Sequence, residues 1–270
     1  MVIYMKNKLK DKVAIITGAG GGIGEAIANK FSLEGSKVVV NVYKNIRGGI
    51  ETVRTIESNG GEAFFVKADV SVESEVKEMV EKTIEKYKKV DILVNNSGVG
   101  PDNHPDIVTA ISEKDWEKVL NINLKGVLFT TKYCIPNMIN NGGGSIINIA
   151  SIHGILGYPN NSSYCASKAA IINLTRAMVL DYSKYNIRIN CICPGFIETK
   201  MYENNLKRFK NREEAEKYFF QMHPQNRVGK PLEVAEAAVF LASIDSNFIT
   251  GICLPVDGGY IAYGGRKIKW

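Results

Sequence analysis

VAIITGAGGGIGEAIA, residues 13–28, decides how this chain is read. Five residues of β-strand character end at Thr17, five of the next seven are glycine, and apolar residues then recur at helical spacing. This is a buried strand, a tight turn and a helix. Gly18, Gly22 and Gly24 let the backbone turn sharply and bring its N–H groups to the helix N-terminus, where a phosphate is favoured. The spacing is G-x-x-x-G-x-G, with Ile23 inside it, a strand before and a helix after. In that setting the turn predicts a dinucleotide pyrophosphate.

The same alternation continues outward. Apolar runs at 37–42, 62–68, 90–96, 142–150, 187–195 and 251–259 read as strands. Amphipathic stretches near 47–59, 73–88, 113–140, 162–184 and 231–243 read as helices between them. Gly35 stops the first helix. Ser112 with Asp115 three residues on marks the start of the long helical region. Strands without polar alternation, separated by helices, form a parallel sheet covered on both faces. Seven of them in one run, with no linker or repeat, predict a single doubly wound α/β domain spanning 1–270. The polar segment from about 197 to 230 shows no clear strand. Its core, about 198–223, is expected to be a flexible lid.

Composition excludes several classes. Of 270 residues, 45% are hydrophobic and 23% charged, with a net charge of +6. The basic residues gather at the termini (KNKLKDK, 6–12, and GGRKIKW, 264–270) and in 204–214, without interleaved aromatics, so nucleic acid is not an expected partner. No stretch reaches membrane-span length, and the first residues lack the apolar core of a secretory leader. Five cysteines without C-x-x-C spacing, and His104, His153 and His223 far from metal-ligand spacing, predict no metal site and free buried thiols in a reducing cytosol.

SSYCASK, 162–168, sets Tyr164 and Lys168 four apart, on one face of a helix. With TGAGGGIG at 17–24, NNSG at 95–98, Ser151 after a strand and PG at 194–195, the chain resembles the short-chain dehydrogenases/reductases over roughly 10–260. The resemblance implies a doubly wound Rossmann fold and hydride transfer between nicotinamide and a carbinol or carbonyl carbon. It implies catalysis by Asn123, Ser151, Tyr164 and Lys168. Ser151 would polarise the substrate oxygen, Lys168 would also hold the nicotinamide ribose, and Asn123 in NINLKG would position a water linked to Lys168. Asp69 and Val70 would flank the adenine, Asn95 and Asn96 would lie along the cofactor, and Pro194, Gly195, Ile197 and Thr199 would approach the nicotinamide.

A proton-transfer group works best when it titrates near neutrality. Bringing a tyrosine from ~10 to about 7 takes roughly 4 kcal/mol. One cation about 4 Å away at an effective dielectric of ~20 supplies that much, so Lys168 is expected to lower the Tyr164 pKa. At the end of the second strand stands Val42, where an acid would read the ribose of NAD, followed by Lys44 and Arg47. These fit a 2′-phosphate as well as they fit an exposed loop. Strict NAD use is disfavoured, and the cofactor is left as NADP or both.

His153 and residues 154–161 are placed at the mouth of the site, with His153 a substrate contact or a plain loop residue. VVVNVYKN, SIHG and SYCASKAA are similar to the glucose 1-dehydrogenase-like branch, which points to a sugar or another secondary alcohol. The alternative is a 3-oxoacyl-carrier-protein reductase, disfavoured by the neutral PNMINNGGG turn. A redox sensor without catalysis would have no use for Ser151, Tyr164 and Lys168 together, and a scaffold would not need the glycines. Apolar residues on nearly every face of 169–182 predict a homo-oligomer, a tetramer by resemblance.

Overall fold

All five residues of β1 (Val13–Thr17) are buried, because this strand lies in the middle of a sheet with helices on both sides. The computed structural model describes residues 7–102 and 105–264. His104 and the basic segment beyond Gly264 lie outside them. The other strands are β2 (Lys37–Val42), β3 (Ala63–Lys67), β4 (Ile92–Asn95), β5 (Gly144–Ile149), β6 (Ile187–Pro194) and β7 (Cys253–Val256). All pair in parallel, in the order β3-β2-β1-β4-β5-β6-β7. The chain winds from β1 out to β3, then returns to β4 and winds the other way. The connections leaving β1 and β4 therefore diverge and open a crevice at the carboxyl ends of the strands.

Alternate strand residues face opposite helical layers. Ala14, Ile16, Val38, Val40, Ile92 and Val94 pack against α1 (Gly22–Leu33) and α9 (Pro231–Ala242), with α2 (Ile46–Ser58) alongside. Ile15, Val39, Leu93, Ile146 and Ile189 pack against α3 (Glu73–Tyr87), α5 (Gly126–Asn140) and α6 (Ser162–Tyr182). The predicted Rossmann architecture is what the chain forms.

Two details differ from expectation. The long helical region is α4 (Glu113–Leu120), a π-helical turn over 121–125 and α5, so one wide turn interrupts a continuous rod. The polar segment after β6, in which no strand was read, is helical. It carries α7 (Lys200–Leu206) and α8 (Arg212–Gln221), whose starts are capped by the side chains of Thr199 and Asn211. Tyr202, Leu206, Ala215 and Phe219 join Phe196, Ile152 and Tyr260, from the short α10 (Tyr260–Tyr263), in a separate small core beside the sheet.

Candidate active site

Gly18 and Gly22 adopt φ of +66° and +57°, the left-handed conformation that glycine reaches without strain. Gly21 precedes α1 with no side-chain cap, which leaves the first N–H groups of the helix for an anion. Thr17 Oγ1 accepts from the N–H groups of Asn96 (3.0 Å) and Ser97 (2.9 Å), and Asn96 Nδ2 donates to the Thr17 carbonyl at 2.9 Å. These bonds tie the turns after β1 and β4 together across the crevice. Gly24 has a different role from the expected one. A Cβ there would lie 2.5 Å from the Gly18 carbonyl oxygen and 2.4 Å from Asn96 Nδ2. Gly24 lets α1 sit close to the turn, and it does not line the crevice.

The crevice holds a cavity of about 750 Å³ that runs from this turn to the end of β5 and the head of α6. At its outer end are Val42, Tyr43, Lys44, Asn45, Asp69 and Val70. Arg47 is not among the lining residues. Asp69 accepts from the Ser71 N–H and hydroxyl, at 2.9 and 2.7 Å. Asn45 caps α2 and donates to the Gly20 carbonyl at 2.6 Å, bracing the glycine turn. Asn95, expected along the cofactor, is buried instead. Its side chain bonds Thr130 Oγ1 (2.6 Å) and Asn148 Oδ1 (2.8 Å) inside the sheet layer.

At the inner end the cavity meets Ser151, Tyr164 and Lys168, with Pro194, Gly195, Ile197 and Thr199 opposite. The Ser151 hydroxyl is the neighbour that favours the Tyr164 phenolate, and it also accepts the His153 N–H at 3.1 Å. Lys168 is 4% exposed, donates to the Ile149 carbonyl at 2.7 Å and lies 5.6 Å from the centre of the Tyr164 ring. Asn123, in the π-helical turn, bonds both backbone groups of Val99 (2.8 and 3.0 Å) and donates to Ser167 Oγ (3.0 Å). It has no direct bond to Lys168. Both border Gly98, where a Cβ would sit 3.4 Å from Asn123 Oδ1 and from Lys168 Nζ.

A family model described as enoyl-(acyl carrier protein) reductase matches residues 18–261. The chain belongs to the short-chain dehydrogenases/reductases. Among its relatives is a 3-oxoacyl-(acyl-carrier-protein) reductase, FabG, of Thermotoga maritima, 38% identical over 94% of this chain and 99% of that one. Glucose 1-dehydrogenase 2 of Bacillus subtilis is 38% identical over 96% and 98% of the two chains. The crystal structure of a levodione reductase superposes with a TM-score of 0.88 at 33% identity, covering 94% of this chain and 98% of that one. The enzyme is accordingly an NAD(P)-dependent oxidoreductase.

In this short-chain dehydrogenase/reductase the phenol–ammonium pair does not behave as the spacing alone suggests. Burial pushes the Tyr164 pKa up to about 12, against the favourable Ser151 hydrogen bond. Burial also lowers Lys168 to about 8. The attraction between the two charges, which the spacing alone suggests, is outweighed by the loss of water from both.

His153 stacks on Tyr158 (ring centres 4.3 Å apart) and meets Tyr164 and Phe196 edge-on. Burial lowers its pKa to about 4, so it is neutral at physiological pH, and its Nε2 is buried without a protein partner. Asn161, from the segment placed at the mouth of the site, lines this end of the cavity, as do Phe196, Tyr202, Asn204, Asn205 and Arg208, which were not singled out from sequence. These last five follow β6, four of them within the segment expected to be a lid. Thr199 and Asn211, each a good cap two or more residues ahead of an acid, carried the available signal.

Proposed function

We propose that the enzyme interconverts a hydroxyl-bearing carbon and its carbonyl on a sugar or another neutral secondary alcohol, with Tyr164 as the acid/base. The observation that carries this is the meeting of Ser151, Tyr164 and Lys168 along one cavity with the glycine turn. The cradle suits a dinucleotide: left-handed glycines, uncapped helix N–H groups and a Lys168 ammonium beside the phenol. When bound, the nicotinamide supplies or takes the hydride. Ser151 orients the substrate oxygen by hydrogen bond. Tyr164 takes or gives its proton, and Lys168 stabilises the phenolate and is placed to hold the cofactor ribose. Asn123 acts through the Val99 backbone and the wall around Gly98. The neutral His153, with Asn161, Asn204 and Asn205 nearby, favours an uncharged, hydroxylated substrate, in keeping with a relative named glucose 1-dehydrogenase.

Lys44 at the outer end, and the lack of an acid at the end of β2, support NADPH or use of both cofactors. A second reading, reduction of a carrier-bound 3-oxoacyl group, is supported by Lys200 and Arg208 on the cavity wall and by the FabG relative. Leu128 on α5 and Leu180 on α6, 50% and 85% exposed, support association of like chains through these helices, as a tetramer. We place the enzyme in the cytosol as a single domain whose lid is α7 and α8.

Tyr164→Phe tests the assignment. Turnover is expected to fall at least a hundredfold while NADH and NADPH binding, followed by fluorescence in parallel, is unchanged. Retained turnover would remove Tyr164 from the chemistry. The same titration reads Lys44: NADPH binding at least tenfold tighter than NADH, lost in Lys44→Ala, supports the 2′-phosphate reading. Equal binding overturns it.

A further inference from the structure

Cys191 and Cys193 are alternate residues of β6, so the pleat of the strand carries both side chains to the same face of the sheet. Cys253 lies opposite Cys191 in the β6–β7 register, 60 or more residues later in the chain. The three sulfurs are within 4.8 Å of one another, and Cys193 Sγ and Cys253 Sγ are 2.9 Å apart. Around them are Val127, Ala150, Ile171 and Ile172, with Leu124 and Leu174 partly buried beside them. None of the three thiols lines the catalytic cavity.

Single buried cysteines are usually small apolar fillers. Three converging sulfurs are a different matter. Sulfurs bound at about 2.3 Å to one central ion stand roughly 4 Å apart; the three here lie within 4.8 Å, and the 2.9 Å edge between Cys193 and Cys253 would open to take the ion. The 2.9 Å contact is longer than the ~2.05 Å of a disulfide bond. Cys193 is paired in register with Pro255, so Cys253 is its diagonal neighbour. The arrangement suits a bridging ion better than a bond.

We propose that Cys191, Cys193 and Cys253 form a three-coordinate thiolate site for Cu(I). A closed zinc site takes four ligands. Among the described residues no histidine or carboxylate joins the three sulfurs, and aliphatic side chains pack around them. Soft sulfur ligands select Cu(I). Binding exchanges thiol protons for the metal: Cu⁺ and three S–H groups give a tris-thiolate centre and release up to three protons, with nothing oxidised or reduced. Lys168 and Arg176 are cations within electrostatic reach of the sulfurs and offset the negative charge of that centre. The ion enters at Cys253, which is partly exposed on the edge strand.

The test is anaerobic titration of the fully reduced protein with Cu(I) presented as its bathocuproine disulfonate complex. One Cu(I) per chain is expected to leave the chelator, with thiolate-to-copper absorption rising in the near ultraviolet. Cys253→Ser and Cys191→Ser should each weaken uptake at least tenfold, and Cys165→Ser should leave it unchanged. Circular dichroism and NADPH binding check that each variant is folded. The proposal is overturned if the parent protein withdraws no copper, if uptake survives in a folded Cys253→Ser variant, or if Zn²⁺ is bound at these thiols in preference to Cu(I).

Discussion

Lys168 stands in a position that works against the fold. Its ammonium is desolvated by burial, and it donates to the Ile149 carbonyl. A folded-state pKa of about 8 against 10.5 outside means that the charged form is penalised by about 3 kcal/mol at ~1.36 per unit. The penalty is in full force below pH 8, where Lys168 is charged in both the folded and unfolded chain. It fades between pH 8 and 10.5 and is absent above, where the group is neutral in both. Lys168→Met is therefore expected to lose turnover yet unfold later in denaturant at pH 7. The gain is on the order of 2 kcal/mol once the orphaned Ile149 carbonyl is counted, and it disappears by pH 10.5. Denaturant midpoints across that range check it. A variant less stable than the parent at pH 7 would show that the hydrogen bond outweighs the desolvation.

The helix that carries Tyr164 and Lys168 is fixed at two places. At its head, Asp106 comes in from a loop. Its Oδ2 accepts from the Ser163 N–H (3.1 Å) and hydroxyl (2.9 Å), and its carbonyl accepts from the Ser162 N–H (3.0 Å). A carboxylate there satisfies the open N–H groups and suits the helix dipole. Farther along, Thr175 Oγ1 accepts from Asn148 Nδ2 at 2.9 Å. Asn148 in turn bonds Asn95, so a buried polar chain links β4, β5 and α6. Asp106→Ala is expected to cost about 1–2 kcal/mol, or a few degrees in Tm for a chain of this size. Turnover should fall with it, since Tyr164 follows the capped residue directly. Asp106→Asn, which keeps an acceptor, should recover most of the loss. An unchanged melting temperature in Asp106→Ala would exclude the clamp.

Across the whole molecule, the small core of α7, α8 and Tyr260 is distinct from the two layers that sandwich the sheet. Thr199, Tyr202, Asn205 and Arg208 from this segment face the catalytic cavity. Hydrogen exchange is expected to be faster in α7 and α8 than in β1, β4 and β5, and to slow there when cofactor and substrate are both present. Protection equal to that of the central strands in the free enzyme would rule out an independently opening lid. The sheet itself was legible from sequence because a strand buried on both faces is apolar at every position, as in VAIIT, and because the glycine turn marks the first crossover. Ser151, Tyr164 and Lys168 were legible through their order and spacing. Their electrostatics were not, since desolvation depends on which distant residues cover them. Asp106 sits in a loop with no periodicity to betray it. Cys253 meets Cys191 only through the β6–β7 register, which no local pattern encodes.

The wide turn at 121–125 also bears on how the chain tolerates lost residues. Its extra residue shifts the phase between α4 and α5 by about a third of a rotation, and Asn123 sits inside that shift with both of its amide atoms committed to Val99 and Ser167. Removing one codon there would repair the hydrogen-bond ladder into an ordinary helix and leave the sheet intact. It would also swing α4 around its axis relative to α5 and withdraw the clamp from Val99. A shorter, more regular chain would fold as the same protein and be a poorer catalyst.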